Sequence, residues 1–162
     1  MRKKPYDTPM KITNLIQLIV WLAIAQLPGL LGMQYVFDNM TWYRTLIHPA
    51  FSPPEAVFGI VWGVLYVMLG ISAFLAFREK LHGHALMLFV LQLALNACWT
   101  PVFFGAHSIT GGLILIVAML VEYVFLFRAF WPISRTAAWL LVSYGVWLTF
   151  ATYLTAATWW LN

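Results

Sequence analysis

Long apolar runs alternate with short polar or proline-bearing segments along almost the whole chain. The runs cover residues 12–36, 53–77, 84–104, 109–130 and 137–161. At 1.5 Å per residue each is about long enough to cross a ~30 Å hydrocarbon core. The pattern therefore predicts five transmembrane helices forming one domain over residues 1–162. The first connection, Phe37 to Ser52, is the only one longer than about six residues, and binding function concentrates in such loops. The short connections elsewhere predict that consecutive helices are antiparallel neighbours.

Within the runs, polar and aromatic positions recur at helical spacing. The second span should start near Pro53, because proline suits a first helical turn, with Ser52 as N-cap and Glu55 completing a capping-box spacing. Phe58, Trp62 and Tyr66 repeat every four residues on one face of it, while Gly59 and Gly63 form a GxxxG step with Gly70 in line. Pro28, Gly29 and Gly32 should kink or loosen the outer third of span one, and Ala25 and Gly29 allow close packing. In span three Gln92, Asn96, Trp99 and Phe103 share a face, and Pro101 should bend its end. Buried amides in lipid need partners, so that face points into the bundle, either for interhelical hydrogen bonds or to line a ligand cavity. Span four carries Glu122, the only carboxylate well inside a span. Span five places Tyr144, Trp147, Ala151 and Thr155 on one face. Rise arithmetic puts Gln92, Glu122 and Tyr144 at one depth, ~12 Å from the cytoplasmic ends, which predicts a polar cluster. It puts Trp62, Trp99 and Ala151 together at ~22 Å, with Trp147 a turn deeper, which predicts an aromatic chamber under the first loop.

Composition settles the class. Of 162 residues 63% are hydrophobic and 9% charged, with a mean hydropathy of +0.85, too little charge to cover a soluble surface. The net charge of +4 is no nucleic-acid signal, because its residues are dispersed among loops. Arg2, Lys3, Lys4, Lys11, Arg78, Lys80, Arg128 and Arg135 fall on one side of the predicted bundle, against Arg44 alone on the other. The positive-inside rule then puts the N-terminus in the cytoplasm and the C-terminus outside. The MRKK start, an apolar run and Ala23-Ile24-Ala25 resemble a cleavable signal peptide, but apolar sequence continues to Val36, so the first span is expected to stay. Cys98 is the single cysteine and gives no disulfide framework. His82, His84 and His107 read as surface loop residues. Trp159 and Trp160 read as an interfacial aromatic belt.

Taken in order, the residues resemble the tryptophan-rich sensory protein, or translocator protein, family (TspO/MBR). The resemblance rests on Trp42-Tyr43, Pro49, Pro53-Pro54, Phe58, Trp62 and Leu65-Tyr66. It continues through Gln92-Leu93, Asn96, Trp99 and Phe103-Phe104. It ends with Leu140-Leu141, Tyr144, Trp147, Phe150-Ala151, Leu154 and Leu161-Asn162. The chain departs from the family at His48, where Lys is usual, at Ser143 in place of Pro, and at Thr155 in place of Asn. The sterol-recognition pattern of relatives is absent near the C-terminus, because no Lys or Arg follows Tyr153.

The resemblance implies an all-α, five-helix homodimer in a bacterial cell membrane, with a pocket for porphyrins and other flat lipophiles. On this reading Trp42, Arg44, His48, Phe58, Trp62, Tyr66, Asn96, Trp99, Phe103, Tyr144, Trp147 and Ala151 contact the ligand. Stacking suits the porphyrin plane, and Arg44 and His48 suit its carboxylates. A receptor or regulator is the leading expectation. A porphyrin-degrading enzyme and a transporter of tetrapyrroles or lipophiles are the alternatives. No nucleophile–base pair or metal-ligand cluster is evident, so no catalytic residue, metal or cofactor is expected, and the porphyrin enters as ligand.

Overall fold

The computed structural model describes residues 12–79 and 83–162. Arg2, Lys3, Lys4, Lys11, Lys80 and His82, which carry part of the charge and histidine readings, lie outside the described residues. The helices are α1 (Ile12–Tyr43), α2 (Glu55–Arg78), α3 (His84–Thr100), α4 (Ile109–Phe130) and α5 (Arg135–Leu161). Each is long and apolar enough to cross a membrane once α3 is taken with the turn that continues it to Gly105.

Two helix starts follow from local chemistry. The hydroxyl of Ser108 accepts from Gly111 N at 3.1 Å and caps α4, and Ser134 does the same for α5 through Ala137 N at 3.4 Å. The expected cap of α2 does not form. A residue before proline is pushed out of the helical region, and Ser52 and Pro53 both precede one. Pro54 is itself extended (φ −54°, ψ 145°), and α2 begins at Glu55 without a side-chain cap.

Two further boundaries differ from expectation. The first helix does not end at Val36 but continues to Tyr43, so the connection shrinks to residues 44–54. Asp38, Asn39 and Thr41 are weak helix formers, yet packing of Trp42 and Tyr43 against the end of α3 outweighs local propensity. Pro28 sits buried inside α1 without ending it. At Pro101, where the sequence predicts a bend, α3 passes into a π-helical turn, Pro101–Gly105, closed by Ala106 N donating to Pro101 O at 2.8 Å. Proline removes a normal i→i−4 bond, and a wider turn is one way to accommodate the loss.

The order of helices around the bundle also differs. Helix α1 packs on α2 and α3, α2 on α5, α5 on α4, and α4 on α3, so consecutive α2 and α3 do not pack along one another and meet through the Tyr66–Asn96 bond. Small residues let α1 wedge between them. A methyl added at Gly29 would lie 2.8 Å from the Tyr66 ring of α2, and one at Gly32 would lie 2.7 Å from the Thr100 hydroxyl of α3. From the other side Gly70 of α2 admits the α1 backbone, since a methyl added there would lie 2.9 Å from Leu22 Cα. Ala25 is fully buried in the same seam. The small residues of span one are thus used inside one bundle. Gly59 and Gly63 are not, for an added methyl there meets nothing within 4 Å.

Candidate functional site

Two groups of rings stand in the half of the bundle nearer the α1–α2 connection. The first is built from the every-fourth-residue face of α2 and the facing side of α5. The Phe58 ring lies edge-on to Trp147 at 6.0 Å, Trp62 stacks on Tyr66 at 5.6 Å, and Trp62 meets the Tyr144 ring edge-on at 6.2 Å. Trp62 and Trp147 both pack against the buried core, as their shared facing predicts. The indole Nε1 of Trp147 is buried without a hydrogen-bond partner among the described residues. Ala151, one turn on from Trp147, is buried.

The second group closes the end of the bundle. Trp99 stacks on Phe103 at 4.8 Å, and its Nε1 donates to Gly112 O at 2.9 Å. Trp42 lies edge-on to Phe103 at 5.7 Å, and Tyr43 approaches Phe104 at 5.5 Å. The π turn brings Phe103 and Phe104 round together, at 5.1 Å from each other. Trp42 also stacks flat on His107 at 4.3 Å, and His107 Nε2 meets Asn39 Oδ1 at 2.7 Å. From sequence His107 is an ordinary loop residue, and the structure puts it in this cluster. Its place after Phe103-Phe104 was the available signal, but the partner lies 65 residues earlier in the chain and no local pattern connects them.

No ring-to-ring contact joins the two groups among the described residues; Asn96 ties the first of them to α3. It sits on α3 one turn before Trp99. Its Nδ2 donates to Tyr144 Oη at 2.7 Å and to Gln92 O at 3.0 Å, while its Oδ1 accepts from Tyr66 Oη at 3.4 Å. Gln92 continues the chain. Glu122 Oε2 and Met119 O lie on one side of its amide and can accept, so Nε2 turns to them and Oε1 accepts from Tyr144 Oη. Tyr66, Asn96, Tyr144, Gln92 and Glu122 thus form one hydrogen-bonded row through the bundle, all of them buried. Equal depth of Gln92, Glu122 and Tyr144 predicts the deeper half of it.

The two side chains expected to meet a ligand's carboxylates, Arg44 and His48, sit differently from one another. Arg44 is engaged in a bidentate pair with Glu55, Nε to Oε1 at 2.9 Å and Nη2 to Oε2 at 2.7 Å. Glu55, released from its expected capping role, takes Arg44. That hydrogen bond also holds the guanidinium pKa above its ordinary value. The pair is largely solvent-exposed, where such pairs are weakly held. His48 is exposed, and its ring lies 4.6 Å from Tyr43.

A residue missed by the sequence reading fastens the connection. The side-chain amide of Asn162 accepts from Ile47 N at 3.0 Å and donates to Ile47 O at 3.1 Å. Tyr153 Oη adds a bond to Ala50 O at 3.4 Å. Two apolar grooves flank the site. One of about 620 Å³ runs between α2 and α5 past Ile60, Val64, Met68, Val146 and Trp147. The other, about 580 Å³, lies under Pro49 and Ala50 beside Tyr153, Trp159 and Trp160.

Comparison with known proteins gives the family of the chain. The TspO/MBR family profile matches residues 15–161. The chain is 32% identical to Protein CrtK of Rhodobacter capsulatus over 131 residues, 78% of this chain and 82% of that one. It is 35% identical to the translocator protein of Ovis aries over 147 residues, 81% of each. It is 32% identical to the tryptophan-rich sensory protein of Cereibacter sphaeroides over 136 residues, 84% of this chain and 85% of the relative.

Proposed function

The chain belongs to the TspO/MBR family, an integral multi-pass membrane protein, and from that premise we propose that it binds a porphyrin or similar flat lipophile in the aromatic site below residues 44–54, as a receptor or regulator. The observation that carries the reading is Trp147. Its N–H is buried and unspent among the described residues, and its ring lies beside Phe58. A buried donor without an acceptor costs about 1–3 kcal/mol, and a ligand carbonyl or carboxylate removes that cost. The rings around it offer flat apolar faces for stacking. The groove between α2 and α5 includes Trp147 in its wall, so a lipophile dissolved in the bilayer reaches the site sideways. His48, and Arg44 once exchanged from Glu55, then serve the acidic edge of the ligand.

The test is a titration of purified protein with several porphyrins and sterols, followed by tryptophan-fluorescence quenching. Porphyrins should quench saturably. Trp147→Phe should weaken them roughly tenfold, the equivalent of ~1.4 kcal/mol for a lost buried hydrogen bond. Absence of saturable quenching, or equal affinity in both proteins, overturns the reading.

The same proposal includes a homodimer. The open Gly59–Gly63 step supports it, since small residues on a membrane helix admit a second helix closely. The mass of the protein in detergent should be that of two chains, and Gly63→Leu should lower it to one.

A further inference from the structure

Glu122 has no role in the binding site as described so far. It is 6% exposed, and its Oε1 has no hydrogen-bond partner among the described residues. Helix α4 packs on α3 and α5. From α3 the groups facing the carboxyl are Gln92 and, beyond it, Asn96, neither titratable. From α5 the group is Tyr144, and Tyr123 stands beside it on α4, its ring 5.9 Å from that of Tyr144. The one ion pair found among the described residues is Arg44–Glu55, so no Lys, Arg or His there neutralises Glu122. Arg128 is exposed and lies six residues further along α4, about 9 Å by helical rise.

An isolated ionised carboxylate is expensive in a membrane interior. A carboxyl joined to a row of reversible hydrogen bonds has another option. Resting on the binding site proposed above, we propose that Glu122 binds a proton and thereby decides whether Tyr66 offers the ligand a hydrogen or a lone pair.

The geometry permits both directions of the row. With Glu122 ionised, the Tyr66 hydroxyl donates to Asn96 Oδ1, and Asn96 Nδ2 donates to Tyr144 Oη. Tyr144 donates to Gln92 Oε1, and Gln92 Nε2 donates to the Glu122 carboxylate. Every hydrogen then points toward Glu122, and Tyr66 shows the site a lone pair. A proton taken from solvent onto the carboxylate allows the reverse. The new O–H donates to Gln92 Oε1, Gln92 Nε2 donates to Tyr144 Oη, Tyr144 donates to Asn96 Oδ1, and Asn96 Nδ2 donates to Tyr66 Oη. Tyr66 is left with its hydrogen free for the site. Two amide turns, at Gln92 and Asn96, accomplish the change. Asn96 loses its bond to Gln92 O and Gln92 loses its bond to Met119 O, so an acceptor on the ligand is needed to draw the row over. Binding of a carbonyl-bearing ligand and protonation of Glu122 then favour each other, and the coupling is reciprocal.

The experiment uses mesoporphyrin dimethyl ester, whose ester carbonyls accept hydrogen bonds and do not titrate at the ligand edge. Calorimetry in buffers of differing ionisation enthalpy, from about pH 5 to 9, gives the protons taken up per ligand. Wild-type protein should take up close to one proton in part of that range, with affinity rising by up to about tenfold per pH unit of fall there. Glu122→Gln should bind the ester and lack this uptake. Tyr66→Phe, which keeps the carboxyl and cuts the row, should lack it as well. His48 and His107 remain in all three proteins, so their contribution cancels in the comparison. Difference infrared spectra should show the carboxylic C=O stretch appearing on ligand addition in wild type and missing in Glu122→Gln. Equal uptake in the three proteins, or none in wild type, overturns the proposal. Failure of every porphyrin to bind overturns the reading of the site instead. In that case the infrared band, followed against pH without ligand, still decides whether Glu122 binds a proton.

Discussion

The row from Tyr66 to Glu122 and the fastening of residues 44–54 are built from the same bonds in opposite surroundings. Amide, hydroxyl and carboxylate groups serve in both. In the row Tyr144 and Gln92 are completely buried and Asn96 is 4% exposed, so water cannot replace a lost partner. At the connection Arg44–Glu55 and Asn162–Ile47 lie at the surface, where water replaces either partner at little cost. Burial therefore requires every group of the row to keep a partner, even where the direction of its bonds reverses, and exposure leaves bonds able to open to water. Under the binding reading proposed above, the buried row holds the floor of the site while the exposed connection is free to open.

The sharpest way to break this contrast is Tyr144→Phe. It leaves Asn96 Nδ2 and the Gln92 amide with one partner fewer in a buried place, at a cost of about 1–3 kcal/mol. The thermal midpoint in detergent should fall by several degrees. An unchanged midpoint would show that the row contributes nothing to stability.

Asn162→Ala tests the other side. Both bonds to Ile47 go, yet their groups are wet, so the midpoint should move by no more than about 2 °C. Ligand dissociation, read by stopped-flow fluorescence, should quicken by roughly threefold to fivefold as the connection loosens. A midpoint drop as large as that of Tyr144→Phe would erase the distinction.

The smallest effect belongs to His48→Lys. An exposed charge contributes little, so a dicarboxylate porphyrin should bind about twofold to fivefold more tightly to the variant near pH 7.5. The dimethyl ester should bind both proteins alike. Equal gains for the two ligands would remove His48 from the acidic edge of the site.

The five spans, the inward face of Gln92, Asn96 and Trp99, and the common depth of Gln92, Glu122 and Tyr144 could be read from the chain alone. These follow from period and rise, which are local properties of a helix. Tertiary structure decided the rest. Whether Asp38–Tyr43 is loop or helix depended on what Trp42 and Tyr43 meet, and that is the π turn after Pro101. Glu55 abandoned its cap because two prolines delayed the helix and Arg44 was in reach. Helix α1 lies between α2 and α3 because Gly29 and Gly32 fit the Tyr66 ring and Thr100. Hydropathy cannot foresee such an order, since to lipid all apolar faces are alike and only the sizes of facing side chains tell them apart.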